Sequence, residues 1–327
     1  LKYNLYIMNY NKLTAKMALN LAAPHTWAAS ICPSLFGCFV SYLYGYKLPL
    51  WQFAALVLAC ILMQSSVNTL NDYIDYVKGA DSKDNNLERS DAVLLYENIN
   101  PKSALVLGIG FLAVAVALGV ILIASTKCLI PLWIGIIGAA AIVLYSGGKT
   151  PISYLPLGEL ISGLVMGGLI PLGCIAVASG ELHLEVLIFS IPFIISIGLI
   201  MLSNNGCDID KDIEAGRRTL PVLLGRAKTQ KLFTILMYIW IFSLLILPIF
   251  LIGILGMLVI LLAFFIGRKA VFKLFDSQLD QAHRIEQMKR ILAANIVVNG
   301  SYIAVLAFVD LLLFIKREFG PISDLLF

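Results

Sequence analysis

The sequence predicts an all-α membrane protein, one domain over residues 1–327, with nine transmembrane helices and long cap loops on the cytoplasmic side. Three observations predict it. Of the residues, 60% are hydrophobic and 13% charged, against about 45–50% and about 25% in soluble domains, and mean hydropathy is +0.90. The apolar residues gather in runs long enough to cross a bilayer at 1.5 Å per residue. The basic residues fall almost wholly on one side of those runs.

At the start of the chain, LKYNLYIMNYNKLTAKMALNL lacks the compact apolar core and small-residue cleavage site of a signal peptide, so the first span is expected to direct insertion. Spans are expected at 26–45, 52–71, 104–125, 129–147, 157–178, 184–205, 231–247, 249–266 and 292–315. The seventh and eighth form one apolar stretch too long for a single crossing, and Pro248, Gly253 and Gly256 offer a place to turn. Nine spans put the termini on opposite sides. Of 24 Lys and Arg residues, 20 then lie with the N-terminus and only Lys47, Lys127, Lys316 and Arg317 on the other face. That asymmetry makes the first side cytoplasmic. The basic residues sit in loops without aromatic interleaving, which excludes a nucleic-acid partner. Nothing in the sequence implies an obligate protein partner. The six cysteines are scattered through apolar runs with no metal-type spacing, which suits reduced packing residues, Cys207 included.

Two loops break this apolar pattern with carboxylates. In the first, VNTLNDYIDYVKGADSKD, Asn68, Asn71, Asp72 and Asp75 fall at i, i+3, i+4 and i+7, on one helical face. In the second, SNNGCDIDKDIEAGRRTL, Asn204, Asp208 and Asp212 fall at i, i+4 and i+8 on another. Both face the cytoplasm, and together the two regions hold 11 of the chain's 20 carboxylates. Ionised groups at the mouth of membrane helices are costly and mark function.

Oxygen donors of this kind suit Mg2+, which bridges one or two carboxylates to substrate phosphates. Two facing carboxylate helices can hold two or more such ions over a diphosphate. Lys78 and Lys83 follow the first motif and Arg217 and Arg218 the second, supplying an anion site. Lys149 closes YSGGK one helical turn past Tyr145, so both can address one bound oxygen. A single Asp at a helix end is ordinarily solvated, and Arg217 and Arg218 alone would serve as membrane anchors. Two clusters on matching sides at ligand spacing argue for a shared site.

The pair NDYIDYVKGAD and DIDKD, on a nine-span background, resembles the UbiA superfamily of intramembrane prenyltransferases over nearly the whole chain. The family's N-D-x-x-D motif matches Asn71, Asp72 and Asp75; its D-x-x-x-D motif matches Asp208 and Asp212, and its Y-x-x-x-K element matches Tyr145 and Lys149. NDYIDYVKGADS, NNGCDIDKDIEAGRRTL and LGELISGLVMGGLIPLG are most similar to the 1,4-dihydroxy-2-naphthoate polyprenyltransferase branch. Gly79, with Asp81 two residues on, follows that branch where many members have a further Asp. Ala23-Pro24-His25-Thr26 lacks the arginine of the family's Arg-Pro-x-Thr, and Asp91 stands where the branch often shows arginine, with Arg89 two residues before it.

The resemblance implies Mg2+-dependent transfer of a polyprenyl group from an all-trans polyprenyl diphosphate to an aromatic acceptor, in a bacterial cell membrane. It implies Asn71, Asp72, Asp75, Asp208 and Asp212 as metal ligands, with Asp75, Asp208 and Asp212 catalytic. Lys78, Lys83, Tyr145, Lys149, Arg217 and Arg218 would bind diphosphate, and His25, Asn68 and Asn204 are candidates for the acceptor. Another aromatic acceptor such as 4-hydroxybenzoate stays open. A cation-coupled transporter would also use intramembrane Asp and Asn, but would carry them mid-span rather than at span ends beside basic loops.

Overall fold

A computed structural model describes residues 10–79, 92–126, 128–148 and 150–319. Among them the regular structure is helical, apart from one bridge between Asn11 and Ile99. This is the expected response of apolar runs to lipid, where each backbone group must be satisfied within its own segment. In chain order come α1 (Ala15–Ala22), a 3-10 turn at Pro24–Thr26, α2 (Ala28–Leu43), α3 (Leu50–Lys78), α4 (Val93–Glu97), α5 (Pro101–Thr126) and α6 (Ile130–Ser146). Next, α7 (Gly158–Ser162) runs through a π-helical stretch, Gly163–Leu169, into α8 (Ile170–Ser179). Short α9 (Val186–Phe189), α10 (Ile191–Cys207), α11 (Ile209–Glu214) and α12 (Leu220–Leu224) precede α13 (Arg226–Ile252), α14 (Met257–Phe275) and α15 (Arg284–Phe319).

Each of the nine apolar runs picked out in the sequence is helical. Among the described residues five stretches are long and apolar enough to cross a membrane: Leu50–Lys78, Pro101–Thr126, Gly158–Ser179, Arg226–Phe275 and Arg284–Glu318. The pair Ala15–Thr26 and Ala28–Leu43, bent by 60°, makes a sixth if it is one span; α6 and α10 are shorter apolar helices. The stretch 226–275 is a hairpin. Pro248 stays inside α13, and the chain turns after Ile252 at Gly253, whose φ of 63° and ψ of −146° suit glycine alone. Gly256 then lies so close to the backbone of Pro248 and Ile249 that a Cβ would collide with it. The reversal therefore comes after Pro248, not at it.

Hydrogen bonds define two ends. At one, Arg218 bonds the carbonyl of Tyr154, Asp72 meets Val93, and Arg284 meets Asp208. At the other, Tyr46 bonds His183, Tyr42 bonds the Leu48 carbonyl, and Cys128 bonds that of Gly180. Between them, Phe36, Phe193 and Tyr302 stack where α2, α10 and α15 meet, with centroids 4.8–6.0 Å apart. Beside them Asn299 accepts from Trp240 Nε1 at 3.2 Å and donates to Ser196 Oγ at 2.8 Å and to Asn295 at 2.9 Å. Polar groups satisfied between helices in this way join α10, α13 and α15 where apolar burial alone cannot.

Close crossings set the remaining geometry. Gly37 of α2 packs on Pro171 and Cys174 of α8, and Gly163 and Gly167 pack on the backbone of Ile194 in α10. Pro171 has no N–H and its ring excludes the carbonyl four residues back, at Gly167, so the helix widens into the π-helical stretch ahead of it. Gly167→Val would force a side chain into α10, and we expect it to cost about 1–3 kcal/mol. Gly110→Ala, where a Cβ meets nothing within 4 Å, should leave the thermal midpoint in nanodiscs unchanged.

Candidate active site

A cavity of about 930 Å³ lies among α2, α3, α5, α6, the α7–α8 run, α10 and α15. Along α3 its lining runs from Leu56 to Asp75, along α10 from Ile197 to Asn204 and on to Asp208, and along α15 from Ile296 back to Arg284. The walls are thus apolar and the polar groups collect at one end, where both acidic motifs sit.

The first motif is buttressed by the chain before α2. Asn68 Nδ2 donates to the Ala22 carbonyl at 3.1 Å and to Thr26 Oγ1 at 3.0 Å. Gln64 Nε2 bonds the Thr26 carbonyl at 2.8 Å, and Thr69 Oγ1 bonds that of Leu21 at 3.1 Å. Asp72 is buried, and its Oδ2 accepts the Val93 amide at 3.1 Å, tying the start of α4 to the motif. Asp75, one turn on, takes Nη2 of Arg217 at 2.5 Å.

The second motif departs from the single helical face expected of it. α10 ends at Cys207, Asp208 sits at φ −98° and ψ 15°, and α11 starts after it, although the Asp212 amide still bonds the Asp208 carbonyl at 2.8 Å. This break turns Asp208 to Arg284, which donates from Nε to both carboxylate oxygens at 2.9 and 3.2 Å and from Nη2 to Asn204 Oδ1 at 2.7 Å. Asp212 is 1% exposed, bonded by Thr219 Oγ1 at 3.1 Å and 3.6 Å from Arg217 Nη1. Burial pushes its carboxyl up to about 6 against the opposing pull of Arg217. One guanidinium therefore touches a carboxylate from each motif.

Arg284 reaches its place because the segment before α15 is fastened down. Arg226 bonds the Leu279 carbonyl and, at 3.1 Å, Asp210, while Gln230 bonds the Gln278 carbonyl at 2.6 Å. Asp280 accepts the His283 amide at 2.9 Å just ahead of α15. On the other side of the site Tyr154 carries two cations over its ring, Lys78 Nζ at 4.6 Å and Arg217 Cζ at 4.8 Å from the centroid.

Of the residues predicted from the sequence, His25, Asn68, Asn71, Asp72 and Asp75 line the cavity from one side and Tyr145, Asn204, Asp208 and Arg217 from the others. Asp212 is buried behind Arg217. Lys78 is exposed on Tyr154, and Arg218 is exposed with its amide on the Tyr154 carbonyl at 2.8 Å. Lys83 and Lys149 lie outside the described residues. Sequence reasoning missed Gln64, Lys211, Lys289 and Arg284, which also line the cavity, and Tyr154. Gln64 and Lys211 share the helical spacing of the motifs and could have been found that way. Arg284 stands 76 residues from Asp208, and no local pattern signals it.

Asn71, Asp72, Asp75 and Asp208 offer hard oxygen donors of the sort Mg2+ takes. Among the described residues no three His, Cys, Asp or Glu side chains form a ready-made metal cluster. The donors fit an ion that takes one or two carboxylates and completes its shell with phosphate and water.

The chamber has apolar walls and is closed at one end by carboxylates and guanidinium groups, an arrangement suited to an amphiphilic anion. Comparison with known proteins supplies the class. The UbiA prenyltransferase family matches residues 30–296, and the chain belongs to that family. It is a prenyltransferase. The chain is 34% identical over 229 residues to the 1,4-dihydroxy-2-naphthoate octaprenyltransferase of Bacillus subtilis (strain 168), covering 69% of this chain and 72% of that protein. It is 28% identical over 220 residues to UbiA prenyltransferase domain-containing protein 1 of Xenopus tropicalis, covering 66% of this chain and 62% of that one. In fold it is similar to a UbiA homolog from Archaeoglobus fulgidus bound to GPP and Mg2+, with TM-score 0.63, 16% identity, and 90% and 99% of the two chains covered. A UbiA homolog from Aeropyrum pernix K1 gives TM-score 0.61 at 18% identity over 86% and 98%.

Arg284→Leu leaves Asp208 buried without its guanidinium, which should destabilise the protein by about 3–5 kcal/mol. Adding Asp208→Asn should restore part of that stability. Thermal unfolding of both variants in nanodiscs checks the order.

Proposed function

We propose that this chain transfers a polyprenyl group from an all-trans polyprenyl diphosphate to 1,4-dihydroxy-2-naphthoate, with Mg2+ at the paired acidic motifs. The observation that carries the reading is the meeting of Asp75 and Asp212 on one guanidinium, at the polar end of an apolar chamber. The acceptor is supported by the Bacillus relative and by the sequence of both motifs. The basic side of the chain supports a site that faces the cytoplasm of a bacterial cell membrane.

Asn71, Asp72, Asp75, Asp208 and Asp212 would hold Mg2+, whose charge neutralises the departing diphosphate. Arg217, Lys78, Tyr145 and Arg218, with Lys83 and Lys149, address its oxygens. The allylic carbon–oxygen bond breaks and its electron pair leaves on the diphosphate. The apolar walls keep water from the cation that remains, since water would quench it. The acceptor ring, positioned by His25, Asn68 and Asn204, supplies the pair for the new carbon–carbon bond. Its carboxylate departs as carbon dioxide and returns a bonding pair to the ring, so no strong base is required. The chamber's lipid surroundings accommodate the isoprenoid tail.

The test is a nanodisc assay with Mg2+, polyprenyl diphosphates, and either 1,4-dihydroxy-2-naphthoate or 4-hydroxybenzoate. Prenylated naphthoquinol and carbon dioxide should appear in equal amounts, and preference for 4-hydroxybenzoate would overturn the acceptor. Asp75→Asn and Asp212→Asn should each lower turnover roughly 100- to 1,000-fold, the scale of losing one charge-stabilising group. Full turnover in EDTA would contradict the metal's part.

A further inference from the structure

Tyr154 ends the 3-10 turn Ile152–Tyr154 between α6 and α7, belongs to neither acidic motif and does not line the cavity. Its ring nonetheless meets a cation from each motif. Lys78 closes the helix that carries the first, and Arg217 follows the second. The Tyr154 carbonyl accepts the Arg218 amide, so the turn is fastened to the second motif through backbone, whatever side chain stands at 154.

Long Lys and Arg chains lose rotamer freedom when held in one direction. An aromatic face within about 6 Å of a cation attracts it and limits that freedom before any ligand arrives. Two cations on one ring also repel each other. Asp75 relieves that repulsion through its contact with Arg217, and a bound polyanion would relieve it further. The arrangement is thus primed for an anion between the motifs.

We propose that Tyr154 is a positioning residue for the diphosphate: its aromatic ring holds Lys78 and Arg217 in register, so that cations from both motifs converge on one anion. The proposal rests on Lys78 and Arg217 being diphosphate ligands. It rests on the ring face as well; the Tyr154 hydroxyl, which also interacts with the Arg217 side chain, is tested apart from it.

The experiment is calorimetric binding of geranyl diphosphate with Mg2+ to the nanodisc-embedded full chain, alongside steady-state kinetics. Tyr154→Phe and Tyr154→Trp should keep Kd within about twofold, whereas Tyr154→Leu should weaken it roughly three- to thirtyfold. In Tyr154→Leu, KM for the prenyl diphosphate should rise while kcat and the acceptor KM hold. Tyr154→Met gives a second ring-free variant should Tyr154→Leu fold poorly. Unchanged binding in the ring-free variants overturns the proposal, and so does an equal loss in Tyr154→Phe, which would assign the effect to the hydroxyl. Arg217→Gln separates the two levels. If it weakens binding while the ring-free variants do not, only the role of Tyr154 falls; if it too leaves binding unchanged, the diphosphate site itself is wrong.

Discussion

Carboxylates from two distant helices cannot be buried together at the head of an apolar chamber unless cations share the space. An isolated ionised carboxylate in low dielectric is strongly unfavourable, and pairing is what makes its burial tolerable. Arg217 meets Asp75 and Asp212, and Arg284 meets Asp208 and Asn204. Two fastenings outside the long helices bring these guanidinium groups into place. The segment before α15 is fastened to α13 by Arg226 and Gln230, and the turn after α6 is fastened to the second motif through Tyr154 and Arg218.

The same pairing makes the site chemically versatile. A guanidinium that neutralises a carboxylate can also donate to phosphate oxygens in a planar fork. Under the proposed function the protein's own cations and Mg2+ would compete for the same carboxylate oxygens, and a diphosphate would offer both a better arrangement. Below the mouth, the chamber needs no polar groups. Its walls come from helices held close by Gly37, Gly163 and Gly167 and by the Asn299 network, so the space is defined by backbone as much as by side chains.

Much of this was legible in the sequence because hydrophobic runs and i, i+4 spacing are local signals. The nine helical stretches, the hairpin near Pro248 and the cavity-lining Asn and Asp residues of both motifs follow from them. Three features were not legible. Arg284 was absorbed into the count of cytoplasmic basic residues, since nothing local distinguishes a buried Arg from a membrane anchor. Asp208 was placed on a continuous helix, but its ion pair with Arg284 is made where α10 ends, and spacing alone does not register that break. Asp72 accepts the Val93 amide, a contact across a long loop that only the fold creates. In each case a partner distant in sequence decides the role of a residue whose type was read correctly.

The pairing of Asp75 with Arg217 can be measured in isolation by a double-mutant cycle on the thermal unfolding of the metal-free protein in nanodiscs. Asp75→Asn, Arg217→Gln and the double variant should show a favourable coupling within the 0.5–3 kcal/mol or so found for contacting residues. Stability losses that simply add would mean that no such bridge joins the two motifs, and the site described here would not exist in the resting protein.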